Sequence, residues 1–249
     1  MAYTSDNDAL FISKLDDGVY LCEKRRRAYF FPFLSEREQM LAQRHLEGTG
    51  FRSFAFNGGY GSAERKMLGL FYESREEPFP LCAVGLEFRI GFKLNHRDFL
   101  GALMSLGIER ETVGDILVED GRCVIFVKED IKEYITSQLF KVGNVGVKIT
   151  PADTENLPQG RGFDEKDCTV ASLRLDAVVA AMTGLSREKT KSLILSELVA
   201  LNYAPCRNIS QPVREKDVIT VRGKGKFIIN GVLGETKKHR IKISIIHYR

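Results

Sequence analysis

Between residues 80 and 149 the spacing of apolar residues changes period again and again, and the order of those changes constrains the fold more than any single motif. Residues 81–90 alternate as a strand, residues 97–106 repeat as a helix that stops at Gly107, and residues 115–118 and 122–128 are two strands around Glu119-Asp120-Gly121. Residues 129–140 are helical again and residues 145–149 form a last strand. This β-α-β-β-α-β order predicts a ferredoxin-like plait over residues 80–150. RNA-binding plaits carry aromatic residues on the third strand, but Arg122-Cys123-Val124-Ile125-Phe126-Val127-Lys128 offers only Phe126. The usual base-stacking platform is missing.

Residues 1–79 read as a helical α/β domain. A helix over residues 8–15 precedes the basic run Lys24-Arg25-Arg26-Arg27 and the aromatic run Tyr29-Phe30-Phe31-Pro32-Phe33. Ser35 and Glu38 form a capping box, with Gly48 as the expected C-cap of that helix. Phe51, Phe54 and Phe56 then lead into Asn57-Gly58-Gly59-Tyr60-Gly61, ahead of a helix expected from Ala63-Glu64-Arg65-Lys66. Neither phosphate-cradling glycine pattern is present, so the glycines read as a tight turn needing positive φ. Residues 151–169, with their prolines, glycines and acids, read as a linker.

Charge divides the chain. Residues 170–249 hold 15 Lys and Arg against 6 Asp and Glu, whereas residues 1–169 hold 22 against 27. A basic half joined to an acidic half points to a polyanionic partner at one end only. In that basic half a helix over residues 173–182 stops at Gly184, and Ser186 caps a second that runs to about residue 198. Arg187, Lys191, Ile194 and Leu198 share one stripe, basic where the helix starts and apolar further on. Strands follow at residues 218–222, 227–229 and 240–246. Arg174, Arg187, Lys189 and Lys191, with Arg222, Lys224 and Lys226 from the glycine-spaced turn, supply cations for phosphate contacts. Asp176 reads as the partner of a nearby arginine, and Lys237-Lys238-His239-Arg240 extends the basic surface.

No run approaches the roughly 18 apolar residues of a membrane span, and no signal-peptide pattern opens the chain. Cys22, Cys82, Cys123, Cys168 and Cys206 lie tens of residues apart with no C-x-x-C pair, which predicts reduced thiols and no metal. His96-Arg97-Asp98 looks like a kinase catalytic loop but lacks the second magnesium ligand, and reads instead as a helix start. No motif marks a nucleophile or a cofactor site.

Ser172-Leu173-Arg174-Leu175-Asp176, Ser186-Arg187 and Val221-Arg222-Gly223-Lys224-Gly225-Lys226-Phe227 resemble the RNA-binding domain first seen in ribosomal small-subunit protein S-four. Asn57-Gly58-Gly59-Tyr60, Ala63-Glu64-Arg65-Lys66, His96-Arg97-Asp98-Phe99-Leu100-Gly101-Ala102-Leu103-Met104, Leu106-Gly107-Ile108 and Gly114-Asp115-Ile116-Leu117 are similar to the YlmH family. The resemblance implies an α+β chain ending in an S-four-type domain over residues 170–249. It further implies a cytoplasmic, monomeric, non-enzymatic factor of ribosome-associated quality control. Such a factor binds ribosomal RNA and peptidyl-tRNA on stalled large subunits, beside other quality-control factors, during alanine tailing. Carried over by position, the contact residues are Arg174, Ser186, Arg187, Lys189, Lys191, Arg222, Lys224 and Lys226. Leu201-Asn202-Tyr203 departs from the Val-Asn-Gly or Val-Asn-Trp common in such domains. Two other classes stay open: an RNA-modifying enzyme and an interaction protein of the division machinery.

Overall fold

The computed structural model describes residues 6–74, 77–159, 163–236 and 238–248. The chain divides into two units, Met1–Gly160 and Arg161–Arg249. Each is a mixture of helices and antiparallel sheet, an α+β architecture.

In the first unit α1 (Asp6–Arg25), β1 (Tyr29–Leu34), α2 (Glu36–Thr49), β2 (Phe54–Asn57) and β3 (Lys66–Leu70) come first. They are followed by β4 (Leu81–Phe88), α3 (His96–Ser105), β5 (Val113–Glu119), β6 (Arg122–Lys128), α4 (Lys132–Gln138), β7 (Lys141–Val142) and β8 (Val145–Thr150). The first sheet has the order β1-β3-β2 and the second β5-β6-β4-β8-β7. In the second sheet β4 lies between β6 and β8, its neighbours all antiparallel, and β5 forms one edge.

Alternation along β6 explains the layering, because side chains of a strand point to opposite faces in turn. Cys123, Ile125 and Val127 join Phe99, Leu103 and Ile135 of α3 and α4 in one core. Val124 and Phe126 point the other way and join Phe33 of β1 and Met67 of β3. The first sheet is sandwiched in turn, since Phe31, Leu34, Leu68 and Leu70 pack with Ile12 and Leu15 of α1 and Ala42 and Leu46 of α2. Helices, sheet, sheet and helices therefore stack as one body. β1 serves two cores, with Phe31 and Leu34 in one and Phe30 and Phe33 in the other, and its pairing with β3 shifts register between Phe30 and Phe33, where Pro32 interrupts the ladder.

Residues 1–79 and 80–150, which the sequence divides into two domains, thus share a core. Other boundaries also move. α1 continues to Arg25, so Lys24 and Arg25 lie in its last turn, where cations meet the negative end of the helix dipole. The Ser35–Glu38 capping box is present, but the αL cap is Gly50 at φ 83, two residues past Gly48. Ala63 to Lys66 lead into β3 rather than into a helix, and residues 129–140 hold a helical turn followed by the seven-residue α4. At Asn95 the capping box with Asp98 opens α3, so His96-Arg97-Asp98 is a helix start.

The loop from Asn57 to Lys66 is fastened to the second sheet by one buried carboxylate. Asp115 Oδ2 accepts from Tyr60 Oη at 2.8 Å and from Glu64 N at 2.7 Å, and its Oδ1 accepts from Arg65 N at 3.1 Å. Arg65 donates onward from Nε to the Val113 carbonyl (3.1 Å) and from Nη2 to the Phe33 carbonyl (2.6 Å), and Arg110 donates to the Val113 and Gly114 carbonyls. Burial, with Arg65 alongside, pulls Arg110 down to about 10, so it stays charged at neutral pH. Tyr60 stacks on Phe126 with ring centroids 4.9 Å apart. Gly59 makes that approach possible, since it sits at φ 93 and a Cβ there would come within 2.4 Å of the Phe126 ring.

In the second unit β9 (Phe163–Val170), α5 (Leu175–Thr183), α6 (Arg187–Leu195), β10 (Val199–Leu201), β11 (Ala204–Pro205), β12 (Val218–Val221), β13 (Gly225–Glu235) and β14 (Ile241–Tyr248) follow one another. Its sheet has the order β11-β10-β12-β13-β14-β9. The two helices bury Leu175, Val178, Val179, Met182 and Ile194 against Ile219, Val221, Phe227, Ile243 and Ile245. β9 corrects the linker reading at residues 163–169, while residues 151–159 hold no helix or strand. β9 pairs with β14 from Ile241↔Val170 to Tyr248↔Phe163, although of its described side chains only Cys168 and Val170 are buried. Its polar composition is that of an edge strand, and it hides the strand period.

Replacing Asp115 with Ala strands three donors and should lower stability by about 2–4 kcal/mol, measured by urea denaturation. Burial first, and then the charge and hydrogen bond of Asp115, push the Tyr60 hydroxyl well above its ordinary range. A raised folded value gives stability that is complete below the unfolded tyrosine value of about 10 and declines as pH rises past it. The urea midpoint of the native chain should therefore fall between about pH 9 and about pH 11 more steeply than that of Tyr60→Phe.

Candidate nucleic-acid interface

The candidate surface is built on α6. Gly184 closes α5 in the left-handed region at φ 71, and Ser186 opens α6 in extended conformation, its hydroxyl accepting from Lys189 N at 3.3 Å. Ser186 thus holds the helix start together. Arg187, Lys189 and Lys191 are all exposed along α6, while Thr190 and Ile194 are fully buried and anchor the helix to the core. Arg187 and Lys191, four residues apart, share a face; Lys189 projects from another. The stripe differs from its expected course. α6 ends at Leu195, which is 55% exposed, and Leu198 lies beyond the helix.

β12 and β13 are joined by the turn Arg222-Gly223-Lys224, closed by Lys224 N donating to the Val221 carbonyl at 2.9 Å. Arg222 N donates to the Leu198 carbonyl at 2.9 Å, which seats this turn at the far end of the α6 segment. From the other side the His247 ring lies 3.0 Å from the Lys224 carbonyl and stacks on Phe227 at 4.2 Å. Gly225, at φ 105, is needed there because a Cβ would come within 2.9 Å of the Tyr248 carbonyl. Arg222 and Lys224 are exposed. They and Arg187 mark the two ends of a strip spanned by roughly 12 Å of helix, not one pocket.

Two of the expected cationic side chains, Arg174 and Lys226, are engaged within the domain. Arg174 Nε lies 3.1 Å from Asp176 Oδ1, and Asp176 is buried, so this pair compensates a buried charge as the sequence suggests. Lys226 Nζ lies 5.0 Å above the Tyr248 ring, across the β13–β14 ladder. Leu201-Asn202-Tyr203 finds its explanation in the β10–β11 hairpin, where Asn202 (φ 48) and Tyr203 (φ 64) both take positive φ. Such a turn prefers Asn-Gly, so Tyr203 carries a backbone cost of about 1–2 kcal/mol. Lys237 lies outside the described residues; Lys238, His239 and Arg240 are exposed, with Arg240 Nη2 donating to the Thr169 carbonyl at 3.0 Å. His247 is the residue that sequence reasoning missed. Only the long-range register of β13 with β14 puts it under the basic turn.

In the first unit, Phe126 is 1% exposed beneath Tyr60, and Phe33, Met67, Ala152 and Leu157 cover the same sheet face. That face is closed to a base. Among the described residues no group of three or more His, Cys, Asp or Glu is placed to hold a metal, and no helix is long and apolar enough to cross a membrane.

A family model described as "Putative RNA-binding domain in YlmH" matches residues 75–156. Over 244 residues, 96% of this chain and 94% of the relative, the sequence is 32% identical to ribosome-associated protein quality control protein P2 of Bacillus subtilis (strain 168). The chain belongs to the YlmH family. Cell division protein ylmH from Streptococcus pneumoniae shares the fold, with a TM-score of 0.54 and 19% identity over 62% of this chain and 96% of that one. Motifs that mark the YlmH resemblance in sequence, Asn57 to Tyr60, Ala63 to Lys66 and Gly114 to Leu117, meet in space around the Asp115 carboxylate.

Loss of the Ser186 cap should cost about 1 kcal/mol in Ser186→Ala and be recovered in Ser186→Asp, read from urea midpoints. If the hydroxyl also faces a phosphate, Ser186→Asp should bind RNA more weakly than the native chain at equal stability.

Proposed function

We propose that this chain is a non-catalytic RNA-binding factor of ribosome-associated quality control. It binds large ribosomal subunits that carry peptidyl-tRNA, contacting ribosomal RNA and tRNA, and steadies the tRNA beside the quality-control factors during alanine tailing. It acts as a cytoplasmic monomer. The observation that carries this reading is the exposed cation strip of Arg187, Lys189 and Lys191 with Arg222 and Lys224, set on a rigid two-helix and sheet core. The name of the B. subtilis relative and the description of the matching family model support it.

In this reading the β4–β8 region is a ferredoxin-like plait and the second unit an S-four-type domain. Phosphate contacts from the strip fix the position and orientation of a folded RNA, and because they read no bases they suit a factor that recognises a ribosomal state rather than a sequence. Arg174 contributes mainly by holding Asp176, and Lys226 by bracing Tyr248, so their loss acts through the shape of the domain.

Co-sedimentation with purified large subunits bearing peptidyl-tRNA, over a salt series, tests the proposal. Arg187→Ala with Lys191→Ala should weaken binding and reduce the log–log salt slope by about two, one per lost phosphate contact. An unchanged slope and affinity would remove the strip from the interface.

A further inference from the structure

With the sheet face of the first unit closed by Tyr60, Phe33 and Met67, the exposed apolar surface of residues 75–156 lies partly at the turn between β4 and α3. Arg89, Ile90, Gly91, Phe92 and Lys93 are all exposed, Ile90 at 75% and Phe92 at 43%. This turn is firmly built. Phe92 N donates to the Arg89 carbonyl at 3.4 Å, Leu94 N donates to the Phe92 carbonyl at 2.9 Å, and Leu94 packs against the core shared with α3. Gly91 N donates to Asp120 Oδ1 at 3.0 Å, and Phe88 N donates to the Gly121 carbonyl at 2.9 Å, tying the turn to the β5–β6 hairpin.

The tip itself, residues 88–93, carries Arg89 and Lys93 and no acid. Arg89 and Lys93 flank the two apolar side chains in sequence and Arg97 lies in the first turn of α3, all three exposed; of the neighbouring acids, Glu87 is exposed on β4, Asp98 accepts from Asn95 N at 2.8 Å and Asp120 accepts from Gly91 N at 3.0 Å. A five-residue turn is far smaller than the roughly 800 Å² per partner of a stable protein interface. One ring between cations is enough, however, to stack on a single unpaired base while the flanking phosphates are neutralised.

We propose that the turn from Arg89 to Lys93, with Arg97, is a second RNA contact, in which Phe92 stacks on an unpaired base and the three cations meet the adjoining phosphates. It rests on the RNA-binding reading above but not on the α6 strip, and it assigns the first unit a part that the covered sheet face cannot play.

The chain contains no tryptophan, so Phe92→Trp places a single indole at the tip. The full chain is titrated with a labelled oligouridylate of about 12 nucleotides, within the site size of single-strand binders, following indole emission and anisotropy together. Emission should be quenched saturably with the same midpoint as the anisotropy, and Leu10→Trp, exposed on α1, should show no quenching. Phe92→Ala and Phe92→Leu should weaken binding about fivefold or more, the lower limit for one lost stack of about 1 kcal/mol, while Phe92→Tyr stays within about twofold. Steady Phe92→Trp emission at saturating anisotropy, or Phe92→Leu binding as tightly as the native chain, overturns the proposal. So does an emission change produced by phosphatidylglycerol vesicles and not by RNA. Adding Arg187→Ala and Lys191→Ala to Phe92→Trp separates the two sites. Quenching that persists while the pair leaves anisotropy unchanged counts against the strip; absent quenching while the pair still weakens binding counts against the turn.

Discussion

One buried carboxylate holds the first unit in its shape. Asp115 satisfies the Tyr60 hydroxyl and the backbone of Glu64 and Arg65, and through Arg65 it reaches carbonyls at Phe33 and Val113 on different sheets. Each donor would carry a desolvation cost if left unmatched in this interior, so the loop from Asn57 to Lys66 has one favourable position. That position places Tyr60 over Phe126 and closes the sheet face. A structural hydrogen-bond network thereby settles where RNA cannot go.

The legible parts of the fold were those with local causes. Caps at Ser35 and Ser186, the helix start at His96-Arg97-Asp98, turns at Gly107 and Gly184, and the strand–helix order from Leu81 to Thr150 follow from residues a few positions apart. What stayed hidden was set by distant partners. β9 reads as a linker because only Cys168 and Val170 among its described side chains are buried, and the shared core of β1, β3 and β6 depends on Phe33, Met67 and Phe126 meeting across more than ninety residues. Ala63 to Lys66 has helical composition but is recruited to Asp115 and β3, a tertiary override of local preference.

The candidate site was legible as charge and illegible as geometry. Alternating glycines and cations mark residues 221–227 in the sequence, and Ser186 marks the start of α6. Composition does not show that Arg174 is engaged by Asp176, that Lys226 lies over Tyr248, or that Leu198 anchors Arg222. These contacts turn seven equivalent-looking cations into an exposed strip and a supporting frame.

The acid-rich edge strand β9 has a consequence for the direction from which a polyanion can lie on this domain. Lys226 on β13 aligns with Tyr248 on β14, and Tyr248 with Phe163 on β9, so the exposed Asp164 and Glu165 stand two strands, about 10 Å, from Phe227 and Ile228, where β13 leads away from the basic turn. That spacing is close to the distance over which salt screens charge. β9 works as a negative fence along one border of the sheet. In the proposed reading, a polyanion at Arg222 and Lys224 meets less repulsion along α6, toward Lys191 and Arg187, than across β9.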